Sequence, residues 1–188
     1  MTRAAFLAVL PNLISLARLL AVPLAVWLIV SDKFAAAFWL FVAAGVSDAL
    51  DGFIAKNFGR RTELGAYLDP LADKVLLVSV YVTLGLQGHI VNWLVILVVF
   101  RDLLIIGGAL LYQTLTLSLK MRPLLISKLN TAAQIALVAV VLAHLGLGID
   151  DRGAIALLVY VVAATTFLSG AAYVAIWGWR AARMEDLP

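Results

Sequence analysis

The sequence predicts an all-α integral membrane protein: six transmembrane helices preceded by a short N-terminal interfacial segment. Three observations predict it. Of 188 residues, 64% are hydrophobic and only 13% charged, with a mean hydropathy of +1.06, an apolar share far above that of a soluble domain. The apolar residues fall into six runs, each near the ~20 residues that cross a hydrocarbon core. The Lys and Arg residues between those runs gather on one side of the membrane the runs would build.

Taken in order, the first ten residues are apolar, carry Arg3 and lack the small-residue cleavage pattern of a secretory signal, which places them along the interface. A first span runs from about Leu13 to Ile29, entered through Pro11 and Asn12, with Ser15 and Arg18 in its first turns. The second covers about Phe34 to Phe53. A third runs from near Gly65 to Leu86, with Pro70 expected in its opening turn, where few backbone donors are needed. The fourth, about Asn92 to Tyr112, holds Arg101 and Asp102; the fifth and sixth run from about Leu124 to Leu145 and Ala154 to Trp179. Trp39, Trp93, Trp177 and Trp179 near span ends suit interfacial anchoring or packing.

Nine basic residues (Arg3, Lys56, Arg60, Arg61, Lys120, Arg122, Lys128, Arg180 and Arg183) fall on one side, against Lys33 and Arg152 on the other. Both termini are therefore expected in the cytoplasm. That topology accounts for the basic residues, so nucleic-acid binding has no support. No repeat, low-complexity tract or long polar linker divides residues 1–188, which are expected to form a single membrane domain. The absence of cysteine excludes disulfides and thiolate chemistry.

One stretch departs from the apolar pattern. Asp48, Asp51, Asp69 and Asp73 lie inside or at the cytoplasmic edges of the second and third spans, where carboxylates are expensive and by default mark function. Spacings of three and four set each pair about one helical turn apart. Four carboxylates gathered in a poorly solvated site repel one another, and divalent cations remove that repulsion. An all-oxygen donor set favours Mg²⁺, Mn²⁺ or Ca²⁺. The alternative is that these are solvated helix-end carboxylates pairing with Lys56, Lys74 and the loop arginines.

Cations held at the edge of a bilayer suit a reaction on a phosphate ester, in which two metals neutralise a diphosphate while one carboxylate takes a proton from an attacking hydroxyl. Gly52, Ala55 and Gly65 permit a ligand, or a neighbouring helix, to come close to the backbone. Lys56 is placed to meet a phosphate. His89 and His144 fall on the outer side, away from the acids. Ser47 lacks a base other than the aspartates, so direct displacement is favoured over a covalent intermediate.

These residues resemble the CDP-alcohol phosphatidyltransferases. The signature of that family is Asp, two residues, Asp-Gly, two residues, Ala-Arg, eight residues, Gly, three residues, Asp, three residues, Asp. Here it reads Asp48, Asp51, Gly52, Ala55, Lys56, Gly65, Asp69 and Asp73 with all spacings kept and lysine in place of the arginine. Lys56 keeps the charge and loses the bidentate fork. The resemblance implies that Asp48, Asp51 and Asp69 ligate two divalent cations, Mg²⁺ or Mn²⁺, and that Asp73 binds the second cation and acts as base. It implies that Gly52, Ala55, Lys56 and Gly65 line the cytidine diphosphate pocket. It further implies a homodimer in the inner membrane that moves a phosphatidyl group from CDP-diacylglycerol to an alcohol and releases CMP at the cytoplasmic face.

The opening PNLISLARLLAVPL looks like both the phosphatidylglycerophosphate synthases and the CDP-diacylglycerol-dependent cardiolipin synthases. RDLLI around Arg101 and ISKLNTAAQIALVA from Ile126 look more like the latter, in which the acceptor is phosphatidylglycerol. An anionic acceptor calls for basic residues near the acids, and Arg101, Lys120, Arg122 and Lys128 are the candidates; Arg101 beside Asp102 is either such a contact or a self-contained ion pair. From a different class, a metal or ion transporter also holds acids in membrane helices. Transport predicts polar groups continuing to the outer face, and the outer halves here are apolar.

Overall fold

The computed structural model describes residues 3–58, 63–116 and 124–184, and within them the side chains of 13–49, 71–108 and 124–176. Six helices follow one another: α1 (Arg3–Val30), α2 (Phe34–Phe58), α3 (Glu63–Leu86), α4 (Asn92–Thr116), α5 (Leu125–Leu147) and α6 (Ala154–Met184). Each overlaps one of the six predicted runs. The shortest has 23 residues, a rise of roughly 34 Å at 1.5 Å per residue, which is enough for a ~30 Å hydrocarbon core. Over the described residues three helices are long and apolar enough to cross a membrane: Leu13–Val30, Leu125–Leu147 and Ala154–Ile176. In α2 the apolar stretch Phe34–Ala49 is shorter, and the described side chains of α3 and α4 cover only 71–86 and 92–108.

Several boundaries differ from expectation: α2, α4 and α6 run on past Phe53, Tyr112 and Trp179 to Phe58, Thr116 and Met184, and two starts move as well. The segment before Leu13 is helical from Arg3 and continuous with the first span. Helix α3 begins at Glu63, so Pro70 sits beyond its second turn and not in its opening one. Apolar helices tolerate an interior proline because neighbouring helices and local adjustment of the backbone re-satisfy the freed carbonyl.

The exposed surface is apolar, unlike that of a water-soluble fold. On α4, Ile96, Phe100 and Leu103 are 63–69% exposed, while Arg101 and Asp102 are 3% and 4% exposed. On α6, Leu157, Tyr160 and Phe167 face outward while Thr166 and Ser169 are fully buried. An apolar exterior, with the polar side chains held inside among apolar ones, is the arrangement that a hydrocarbon solvent selects.

The chain divides into two compact units. One comprises Met1–His89 with Val138–Asp151, the other Ile90–Leu137 with Arg152–Pro188. In the first, α1 packs on α2 and α3. Its core is a stripe at helical spacing: Ala72, Leu76, Val80 and Leu84 of α3, with Ala25, Leu28 and Ile29 of α1 and Ala37 and Ala44 of α2.

One end of this unit is fixed by backbone contacts. Helix α1 closes in a Schellman turn, with Asp32 N–H donating to Ile29 and Lys33 N–H to Leu28, and Asp32 takes the left-handed conformation usually given to glycine. Helix α3 closes the same way through Gly88 (φ 79°), with His89 N–H donating to Leu84. The side chain of Gln87, just past α3, donates to the Ile29 carbonyl of α1 at 3.1 Å. At the same end Gly146 lies so close to Phe34 and Ala35 that a Cβ there would meet backbone atoms at 2.4–2.6 Å.

In the second unit α4 packs on α6. Leu94, Val98, Leu137 and Val162 are buried together with a set of polar side chains. Arg101 donates to Asp102 at 2.7 Å and to the hydroxyls of Ser127 and Ser169 at 2.5 Å each. Asn130 Oδ1 accepts from Thr165 at 2.9 Å and Thr166 at 2.8 Å. The ion pair between Arg101 and Asp102 that the sequence left open is formed, and two serine hydroxyls share the guanidinium.

Candidate active site

The first and last aspartates of the motif meet on a residue to which the sequence had assigned no role. Arg18 of α1 is 3% exposed, and its Nη1 donates to Asp48 of α2 at 3.1 Å and, more closely, to Asp73 of α3. Two oxygens sharing one nitrogen lie no further apart than twice the longer of these contacts. Three helices therefore bring two carboxylates, 25 residues apart in sequence, to one point.

Each helix contributes through its register. Ser15 and Arg18, one turn apart on α1, are both buried although Leu16 and Ala17 between them face outward. Asp73 follows buried Ala72 on α3 and borders the packed stripe. Asp48 lies one turn beyond buried Ala44 on α2. The guanidinium is enclosed, but the carboxylates are half open, with side-chain exposures of 50% for Asp48 and 41% for Asp73. They are thus braced from the inner side and accessible from the other.

Asp51, Gly52, Ala55 and Lys56 lie on the helical backbone of α2, and Gly65 and Asp69 on that of α3; their side chains are outside the described residues. Lys120 and Arg122 lie outside the described residues altogether. Among the described residues no group of three or more potential metal ligands occurs. Lys128 is exposed near the start of α5, whereas the guanidinium of Arg101 is committed to Asp102 and two serines.

The residues set aside are occupied elsewhere. Ser47 donates to the Ala44 carbonyl at 2.7 Å. His89 packs edge-on against Phe34, ring centres 5.1 Å apart, and His144 Nδ1 bonds with the Ile149 carbonyl at 2.9 Å.

The signal that would have revealed Arg18 is its cost: a cation within an apolar span needs an acid, and the nearest surplus of acid in this chain is the motif. Ser127, Asn130, Thr165, Thr166 and Ser169 were missed for a different reason. Single hydroxyl and amide residues in apolar helices give no pattern until the helices are assembled.

Fold and site together define a polytopic membrane protein with an acidic site braced by a buried arginine. The chain belongs to the CDP-alcohol phosphatidyltransferase family, whose model matches residues 8–177. It is 37% identical over 182 residues to a chloroplastic CDP-diacylglycerol-glycerol-3-phosphate 3-phosphatidyltransferase of Oryza sativa subsp. japonica, covering 87% of this chain and 55% of the relative. It is 36% identical over 150 residues to the cardiolipin synthase (CMP-forming) of Homo sapiens, covering 71% and 50%. A probable phosphatidylglycerophosphate synthase of Mycobacterium tuberculosis is 34% identical over 100 residues, half of this chain and 48% of the relative. The chain spans about half the length of these curated relatives, and their names divide between two products.

Proposed function

We propose that this protein transfers the phosphatidyl group of CDP-diacylglycerol to phosphatidylglycerol, giving cardiolipin and CMP. The observation that carries the reading is the meeting of Asp48 and Asp73 across α2 and α3, half open, within a motif whose spacings are those of the family. Carboxylate oxygens this close fit a hard divalent cation, Mg²⁺ or Mn²⁺. Asp48, Asp51, Asp69 and Asp73 would hold two such ions, which when bound neutralise the diphosphate and stabilise the departing phosphate.

The remaining chemistry belongs to side chains of this chain. Asp73 accepts the proton of the attacking hydroxyl. The acceptor oxygen bonds to the phosphorus that carries diacylglycerol, and the bond from that phosphorus to the oxygen of CMP breaks. Gly52, Ala55 and Gly65 admit the nucleotide close to the backbone, and Lys56 meets its phosphates. Lys120, Arg122 and Lys128 attract the anionic acceptor. Arg101 is left out of that set because its guanidinium is buried and engaged with Asp102, Ser127 and Ser169. The nine-to-two division of basic residues supports an active site at the cytoplasmic face of the inner membrane, and the family resemblance supports a homodimer.

The choice of phosphatidylglycerol rests on the ISKLNTAAQ segment, in which Leu129 and Asn130 stand where a glycerophosphate-using enzyme is expected to carry a basic residue and threonine. A second reading, transfer to glycerol 3-phosphate, is favoured by the Oryza relative. Purified protein supplied with Mg²⁺, CDP-diacylglycerol and each acceptor separately tests both. Cardiolipin and CMP are expected with phosphatidylglycerol; product with glycerol 3-phosphate alone would transfer the assignment to the second reading. Metal-dependent ion flux in proteoliposomes without CMP release would reinstate a transporter.

A further inference from the structure

We infer that Arg18 is a positioning residue that competes with the divalent cation for Asp48 and Asp73, and that this competition couples cation binding to binding of the lipid-nucleotide diphosphate. The inference rests on the metal-dependent reading above and goes beyond it by assigning a role to a residue outside the motif.

The argument starts from the contacts. One guanidinium nitrogen donates to both carboxylates. Arg18 is buried while both acids are half open. An arginine side chain keeps its proton under all working conditions, so it is a fixed positive charge. Without a cation, that charge offsets the repulsion between two carboxylates drawn together by α2 and α3 and keeps their oxygens converged. The site is thereby assembled in advance.

The same charge opposes what the site is assembled to hold. A cation bound by Asp48 and Asp73 takes electron density from the oxygens that Arg18 uses and places like charges a few ångströms apart in a poorly solvated region. A buried guanidinium whose ion pairs are weakened, with no anion gained, is strongly disfavoured. A diphosphate brings such an anion, and arginine is the side chain whose planar fork best matches phosphate oxygens. When the lipid-nucleotide arrives, Arg18 exchanges carboxylate for phosphate and ceases to oppose the cation. Coupling of this kind is reciprocal: the lipid-nucleotide tightens the cation site by the factor through which the cation tightens the lipid-nucleotide site.

The test measures Mn²⁺ binding directly, by electron paramagnetic resonance of free Mn²⁺, on the purified full chain in lipid nanodiscs with and without CDP-diacylglycerol. For the wild type, CDP-diacylglycerol is expected to raise Mn²⁺ affinity about tenfold or more. Arg18→Gln is expected to tighten Mn²⁺ binding in the absence of lipid-nucleotide and to shrink the coupling to about threefold or less. Arg18→Lys, which keeps the charge, is expected to leave Mn²⁺ binding without lipid-nucleotide as weak as in the wild type. A bracing role alone predicts the opposite sign for Arg18→Gln, because relaxed carboxylates bind the ion less well. Weaker or unchanged Mn²⁺ binding in Arg18→Gln therefore overturns the inference while leaving the metal-dependent reading intact. Equal Mn²⁺ affinity with and without CDP-diacylglycerol in the wild type overturns it with no variant needed. Absence of any Mn²⁺ binding by the wild type overturns both.

Discussion

Replacing Asp102 by alanine removes the charged partner of a cation with little access to water. Arg101 and Asp102 are 3% and 4% exposed and joined at 2.7 Å. After the substitution the guanidinium retains the hydroxyls of Ser127 and Ser169, which are neutral acceptors, and its Nε already lacks a hydrogen-bond partner among the described residues. Were the pair exposed, its loss would cost about 0.2–1 kcal/mol. Burial raises the expected cost to about 3–5 kcal/mol, because arginine cannot shed its proton to escape. For a chain of this size about 2–4 °C is lost per kcal/mol, so the melting temperature should fall by roughly 6–20 °C. Thermal unfolding of the detergent-solubilised protein measures this. The double variant Arg101→Met with Asp102→Leu leaves no charge unpaired and should recover most of the loss. A single variant within about 2 °C of wild type, or a double variant as unstable as the single, would refute the account of these two residues as a structural ion pair.

Three further outcomes are expected. Asp73→Asn should largely abolish turnover while leaving CDP-diacylglycerol binding measurable; near-wild-type turnover, followed by CMP release, would rule it out as the base. Asp51→Asn should remove the metal-dependent part of CDP-diacylglycerol binding, and unchanged affinity in a Mg²⁺ titration would exclude it as a ligand. Gly146→Ala should lower stability by about 1–3 kcal/mol, since its Cβ would meet the backbone of Phe34 and Ala35 at 2.4–2.6 Å, and its melting curve reads that directly.

The six helices were legible in the sequence because in a membrane protein length and apolarity alone nearly determine an element. The short polar interruptions between clean apolar runs mark where one helix gives way to the next. Pro70 misled the start of α3, because the rule that confines proline to a first turn is relaxed in apolar helices. The motif was legible as spacing on two helices. Its bracing by Arg18 was not, since that contact joins α1 to α2 and α3 over separations of 30 and 55 residues that no local pattern encodes. Arg101 was ambiguous for a related reason: its adjacency to Asp102 is visible in the chain, but the serines that complete its surroundings lie 26 and 68 residues away.

The close backbone approach of Gly146 to Phe34 and Ala35, and the Gln87 side-chain bond to the Ile29 carbonyl, secure α1, α2 and α3 at the ends remote from the acids. Asp48 stands 13 residues along α2 from Ala35, a lever of roughly 20 Å at 1.5 Å per residue. Swinging α2 by about 3° around its secured end would shift Asp48 by roughly 1 Å over that arm. Under the metal-dependent reading proposed above, that displacement is comparable with the difference between a good and a poor metal-oxygen distance. Bilayer thickness or a neighbouring molecule pressing on one helix would thereby retune the gap between Asp48 and Asp73 without touching either residue.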